Sequence, residues 1–106
     1  FQAYALDEAL ALLDELARQA PFEADIPFMR GYALHLKRDE PAAIAAFDRA
    51  IGLTPRHAMA FAQRGLSRAL LGEHAAALAD VEEALRIDPE HATAMAHKGF
   101  VLIAAG

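Results

Sequence analysis

Apolar residues recur along this chain at the three- and four-residue spacing of amphipathic helices. The spacing is clear in residues 58–71 and 75–87, which flank a short polar stretch around Gly72. Residues 24–57 repeat the same arrangement of two apolar segments and a turn. Each such pair predicts a helical hairpin.

The predicted hairpins share a fixed period. Three glycines and three prolines recur at an interval of 34 residues: Gly31, Gly65 and Gly99, and Pro21, Pro55 and Pro89. Alanines recur at the same interval, as in Ala43 and Ala77 or Ala50 and Ala84. A period of this length is typical of solenoid proteins, in which each unit buries its apolar face against the next unit.

The recurring glycines and prolines have separate physical explanations. A glycine inside a helix costs about 1 kcal/mol relative to alanine, so its recurrence indicates close approach by another backbone. We expect Ala43 to face Gly31 and Ala77 to face Gly65. Each proline follows the second helix of a pair, where it stops the helix because it lacks an N–H and restricts the preceding residue.

The repeated unit resembles the tetratricopeptide repeat (TPR) family, which has a 34-residue helix–turn–helix unit. The residues that carry the resemblance are Gly31, Ala43, Phe47, Ala50 and Pro55, then Phe61, Gly65, Gly72, Ala77, Ala84 and Pro89, and finally Gly99. Pro27 departs from the pattern, since the family usually has a large residue there. The resemblance implies an all-α fold, a TPR-type α-solenoid of antiparallel helix pairs in a right-handed superhelix.

The resemblance also divides the chain into four segments of a single TPR domain. Residues 1–23 correspond to the second helix of a partial repeat, 24–57 and 58–91 to complete repeats, and 92–106 to the first helix of a partial or capping repeat. Apolar residues of the final segment occupy more than one helix face. We therefore expect the chain to be a piece of a longer array.

The sequence offers no arrangement of catalytic or metal-binding residues. His57 and His91 occupy the same turn position in successive repeats, and no two histidines have the i, i+4 spacing of a helical zinc site. Ser67, the only serine, lacks the flanking glycines of a nucleophile elbow, which favours a packing or solvated role. We predict no catalytic residue, no metal and no cofactor, and hence a protein that is not an enzyme.

Charge and hydropathy narrow the classes of partner. The formal net charge is −5, and the basic residues form no run that would bind phosphates, so no nucleic-acid partner is expected. The apolar run 100–105 is far shorter than the roughly 20 residues that cross a bilayer, so no membrane insertion is expected. The absence of cysteine leaves the compartment unknown, with the cytoplasm slightly favoured.

A cation precedes the recurring glycine in every repeat, as Arg30, Arg64 and Lys98. These side chains could form a basic ladder for an acidic ligand. Alternatively, each could pair with a carboxylate of the second helix of its own repeat, as Arg64 could with Asp80. We favour the pairing.

The resemblance implies that the first helix of each repeat lines a concave groove for a peptide or helix. The corresponding residues are Phe28, Tyr32, His35, Met59, Ala62, Leu66, Ala69, Thr93, Ala96, Phe100 and Ile103. This lining is mostly apolar, which suits an amphipathic helix or a hydrophobic peptide. Related domains that grip the carboxylate tails of chaperones place Lys, Arg and Asn on the same surface, so such a tail is not the expected ligand.

Taken together, these features predict a non-catalytic protein-interaction module, either a scaffold or an adaptor. Two alternatives stay open: the TPR region of a larger enzyme, such as a transferase, and a homo-oligomerisation module. A second copy would cover the apolar lining in a homo-oligomer, and further TPRs of the same chain could cover it in a longer array.

Overall fold

The computed structural model describes residues 3–106, and this part of the chain forms six helices and no strand. The helices are α1 (Ala3–Gln19), α2 (Asp25–Leu36), α3 (Glu40–Leu53), α4 (Ala58–Leu70), α5 (His74–Ile87) and α6 (Ala92–Ala105). The predicted all-α fold is confirmed. Phe1 and Gln2, which begin the predicted segment 1–23, lie outside the described residues.

The chain divides into two compact units, with the boundary between Pro55 and Arg56. In the first unit, α2 packs against both α1 and α3. Phe47 of α3 is fully buried, and its ring occupies the space beside Gly31 of α2. A Cβ atom on Gly31 would lie 2.6 Å from Cε1 of Phe47, so the glycine makes room for an aromatic ring, a neighbour that the sequence did not predict.

In the second unit, α4, α5 and α6 all contact one another. A Cβ atom on Gly65 would lie 2.9 Å from Cγ1 of Val81 and 3.0 Å from the carbonyl oxygen of Ala77. The predicted approach of Ala77 to Gly65 is therefore confirmed. Around the position of a Cβ atom on Gly99, by contrast, no neighbouring atom of the described chain lies within 4 Å.

The turn between the two helices of each hairpin contains a residue in the left-handed conformation. In the second unit this residue is Gly72, with φ of 83°. Arg38 takes the corresponding position in the first unit, with φ of 65°. Glycine adopts a left-handed backbone without steric cost. For an L-residue, the Cβ atom makes the same conformation unfavourable in free energy.

The boundaries between hairpins follow the recurring prolines and histidines. Thr54 and Asp88, the residues before Pro55 and Pro89, are extended, as a residue before proline prefers. His57 caps α4 and His91 caps α6, each through Nδ1, which accepts a hydrogen bond of 3.1 Å from the amide three residues later. The repeated histidines thus start helices by accepting an amide hydrogen bond, as N-cap side chains commonly do.

Candidate functional site

The predicted binding residues of the first unit lie on one face of α2. Phe28 is half-buried, and its ring centroid lies 5.8 Å from that of Phe47. Tyr32 is 44% exposed, and its ring centroid lies 6.3 Å from that of His35. Tyr32 is therefore the accessible aromatic side chain of this face, whereas Phe28 packs against Phe47.

His35 is held by a carboxylate that the sequence analysis did not single out. Its Nδ1 lies 3.0 Å from Oε1 of Glu40, and both side chains are largely buried. Glu40 is the first residue of α3, where the helix dipole favours a negative charge. The contact with Glu40 fixes the orientation of the His35 imidazole ring. The sequence signal was the placement of Glu40 just after the predicted turn.

Two predicted groove residues of the second unit are wrong, because the structure buries them. Ala62 packs with Ala84 and Ala94, and Ala69 packs with a cluster that includes Val81. Both alanines are inaccessible to a ligand. Their small side chains let neighbouring helices pack closely against α4, which is what cores built at high packing density require.

A side chain of α6 contacts the backbone of α4 at this point. Nδ1 of His97 lies 3.0 Å from the carbonyl oxygen of Ala62. His97 is therefore part of the contact between α4 and α6.

Met59 and Leu66, the other predicted residues of α4, are half-buried.

The predicted residues of α6 remain accessible. Thr93, Ala96, Phe100 and Ile103 follow helical spacing and lie on one face, which we name the α6 apolar strip. Thr93 is half-buried and the other three residues are exposed; Phe100 is 39% exposed and Ile103 is 81% exposed. Met95 and Leu102 are exposed on the same helix, which broadens the apolar surface beyond the predicted residues.

Each cation of the repeated basic column contacts a carboxylate. Arg64 pairs with Asp80 of α5, as expected. The partners of the other two differ from the expectation, since each comes from the preceding helix. Nε of Arg30 lies 3.1 Å from Oδ1 of Asp14, and Nζ of Lys98 lies 3.6 Å from an oxygen of Glu82. The cations thus connect helices, which weakens the case for a ladder that binds an acidic ligand.

The residues considered for chemistry occupy structural positions. Ser67 is fully buried, which agrees with a packing role. Residues 3–106 contain no group of three or more His, Cys, Asp or Glu side chains placed to hold a metal ion. None of the helices in this range is both long and apolar enough to cross a bilayer.

Comparisons with known proteins agree with this geometry. The family model for the tetratricopeptide repeat matches residues 6–58 and 41–92. No curated protein matches the chain. Among solved structures, the first TPR domain of human RPAP3 has a TM-score of 0.89 at 22% identity, over 93% of this chain and 78% of that domain. Another structure shows the first TPR of Spaghetti (RPAP3) bound to an HSP90 peptide.

Two further solved structures have the same fold. The Arabidopsis OM64 TPR domain has a TM-score of 0.89 at 20% identity, over 94% of this chain and 83% of that domain. MamA has a TM-score of 0.85 at 26% identity, over 92% of this chain and 57% of MamA. The helix pairs, the repeated glycines and the family match lead to one assignment: this chain belongs to the tetratricopeptide repeat family.

Proposed function

We propose that the chain is a non-catalytic protein-interaction module that binds an amphipathic helix or apolar peptide of another protein. The observation that carries the proposal is the α6 apolar strip, on which Phe100 and Ile103 are exposed on one helix face. Large apolar side chains gathered on one surface favour an interaction site, because covering them releases roughly 25 cal/mol per Å² of apolar area.

Helical spacing within the strip suits a helical ligand. Ala96, Phe100 and Ile103 are four and three residues apart, so the side chain of Ala96 leaves room for an apolar residue of the partner next to Phe100. An amphipathic helix places its own anchors at similar intervals and can interleave them with such a surface. Tyr32, on the face of α2, provides a separate accessible aromatic for the same class of ligand.

Structural relatives support a peptide ligand. The first TPR of RPAP3 binds an HSP90 peptide, and its second TPR binds an HSP70 peptide. All the predicted binding positions of this chain except Thr93 are apolar or aromatic, and none is Lys, Arg or Asn. We therefore propose that this module shares peptide binding with these relatives and differs from them in preferring apolar anchors over an acidic tail.

A peptide-display selection tests this proposal. The native protein should enrich peptides with large apolar residues at helical spacing and should not bind the HSP90 peptide SRMEEVD. The double variant Phe100→Glu and Ile103→Glu should lose the enriched peptides by at least tenfold in affinity. Ala75→Glu with Ala79→Glu, on exposed positions of α5, is the matched control and should retain them. Selected peptides that lack apolar spacing, or that bind the strip variant equally well, would contradict the proposal.

Self-association is the second candidate function, and the extra exposed residues Met95 and Leu102 on α6 favour it. A second copy could cover the same helix, since isologous contacts use one surface twice. Light scattering across a wide concentration range separates the two functions. A mass that rises with concentration, and that falls back to the monomer in the Phe100→Glu and Ile103→Glu variant, supports self-association.

A further inference from the structure

A cavity of about 560 Å³ lies within the first unit, between α1, α2 and α3. We name it the α1–α3 cavity. Its apolar wall includes Ile26, Leu34 and Ala46, and two cations, Arg30 and Arg49, also line it. The volume falls within the range of small-molecule sites, which are mostly apolar with a few polar groups that orient the ligand.

The equivalent positions of the second repeat form a network of ion pairs. Arg30, Leu34 and Ala46 precede Arg64, Arg68 and Asp80 by 34 residues each. In the second unit, the Asp80 carboxylate accepts hydrogen bonds of 2.9 and 2.7 Å from Arg64 and of 2.9 Å from Arg68. The first unit keeps the arginine of this network, while an alanine replaces the carboxylate and a leucine replaces the second cation.

We propose that the α1–α3 cavity binds an aliphatic carboxylate. The ligand's carboxylate lies at the guanidinium of Arg30, in the role that Asp80 has toward Arg64, and its apolar body contacts Ile26, Leu34 and Ala46. Hydrogen bonds between a guanidinium and a carboxylate are charge-assisted and stronger than neutral ones. Because the first repeat has Ala46 in place of a carboxylate, both the space and the guanidinium of Arg30 are available to the carboxylate of a ligand.

Two carboxylates, Asp14 and Asp39, also line the cavity, and each already has a partner within the protein. Asp14 contacts Arg30 at 3.1 Å, but both side chains are 46% exposed, and ion pairs of this kind are weak enough for a ligand to displace. Asp39 accepts a hydrogen bond from the amide of Ala42 and so caps α3. Arg49 donates to the carbonyl oxygen of Pro21 at 3.0 Å, which holds a second positive charge at the cavity wall.

NMR titration of the isotope-labelled protein tests the proposal with four probes. These are 4-methylpentanoate, N-acetyl-leucine and the amide of each. We expect both carboxylates to give saturable shifts of amide signals from α2 and α3 around Arg30 and Ala46, and the amides to bind at least tenfold more weakly. Tighter binding of N-acetyl-leucine points to the carboxyl terminus of a peptide as the source, and tighter binding of 4-methylpentanoate points to a free acid.

Ala46→Asp gives the sharpest variant, because it restores the internal carboxylate of the second repeat. It should weaken carboxylate binding at least tenfold, whereas Ala79→Asp, the same change at an exposed position of α5, should leave it unchanged. If Ala46→Asp does not fold, Arg30→Gln serves instead, and it should remove the preference for the acid over its amide. Equal binding of acids and amides, or undiminished binding by a folded Ala46→Asp protein, would overturn the proposal.

This inference is independent of the proposed function. The cavity belongs to α1, α2 and α3, whereas the peptide-binding proposal depends mainly on α6. The Phe100→Glu and Ile103→Glu variant should therefore bind the carboxylates with unchanged affinity. Loss of peptide binding in the Phe100→Glu and Ile103→Glu variant tests only the proposed function. Loss of carboxylate binding in Ala46→Asp tests only the cavity.

Discussion

Arg64 and Asp80 form a bidentate ion pair that joins α4 to α5. Nε of Arg64 donates to Oδ2 of Asp80 at 2.9 Å, and Nη2 donates to Oδ1 at 2.7 Å. The Asp80 side chain is only 5% exposed, so the partners of its carboxylate are these donors and Arg68. A buried carboxylate with all its partners fixes the geometry of a helix pair, because removing a partner leaves a charge in a poorly solvated place.

The first prediction concerns Asp80. Replacing Asp80 with Ala, the residue that the first repeat has at position 46, should lower the free energy of unfolding by about 2–4 kcal/mol, since two partly buried guanidinium groups lose their carboxylate. Adding Arg68→Leu should recover part of the loss because one of those cations is then absent. Urea denaturation followed by circular dichroism measures both effects.

Glu82→Ala provides the control for this prediction. Glu82 lies on the same helix, and its pair with Lys98 is longer and exposed, so its loss should change the free energy of unfolding by no more than about 0.5 kcal/mol. An Asp80→Ala protein as stable as the Glu82→Ala protein would show that the Arg64–Asp80 pair is dispensable.

Several features of the fold could be predicted from the sequence because they are local or repeated. The helix pairs follow from apolar spacing, and the contact between Gly65 and Ala77 follows from the repeated small residues. The Arg64–Asp80 pair was also predictable, since opposite charges sit on the two helices of one hairpin.

Other features could not be predicted, because they depend on the reach of individual side chains. The ring of Phe47 is the group nearest to Gly31, since an aromatic side chain extends past its neighbours on the helix. Spacing alone places Ala62 and Ala69 on the groove face of α4, but it does not give the extent to which α5 and α6 cover that face. The sequence does contain a signal for the α1–α3 cavity, because the second repeat has Asp80 where the first has Ala46. That difference can be interpreted only once the structure shows which arginines Asp80 contacts.

The second prediction concerns the left-handed residue of the first hairpin. Arg38→Gly should raise the free energy of unfolding by about 0.5–1 kcal/mol, because glycine removes the steric cost of a positive φ and only part of the gain is lost to the greater freedom of the unfolded chain. Lys37, the preceding residue, has φ of −80°, so Lys37→Gly brings no such relief and should be destabilising. Thermal melts of the two variants should therefore shift in opposite directions, and a shift of the same sign would contradict the assigned turn.

The third prediction concerns an exposed pair on α5. The hydrogen bonds from Arg86 lower the pKa of Glu83 from its ordinary value of 4.5, and the positive charge of Arg86 adds to the effect. Since the pKa is lowered in the folded protein, the contribution of this contact is present above the ordinary value and is lost as the pH falls through the folded value. Carbon-detected NMR of the Glu83 carboxyl should show a titration midpoint below that of Glu83 in the Arg86→Gln variant. Identical midpoints would mean that the pair does not persist in solution.

The fourth prediction compares two glycines of the repeated column. Alanine is the better helix former by about 1 kcal/mol, so Gly→Ala should stabilise a helix wherever the new methyl group has room. Gly99 has that room, and Gly99→Ala should raise the free energy of unfolding by about 0.5–1 kcal/mol. At Gly31 the methyl group would meet the Phe47 ring at 2.6 Å, and the resulting overpacking should cost about 1–3 kcal/mol.

A second substitution separates crowding at Gly31 from other causes. Phe47→Leu alone should destabilise the first unit by removing buried apolar atoms. Combined with Gly31→Ala, it should cost less than the sum of the two single effects, because the smaller side chain makes room for the methyl group and residues in contact are not additive. Simple additivity in denaturant unfolding would show that the Phe47 ring does not limit position 31. A stabilising Gly31→Ala would contradict the contact itself.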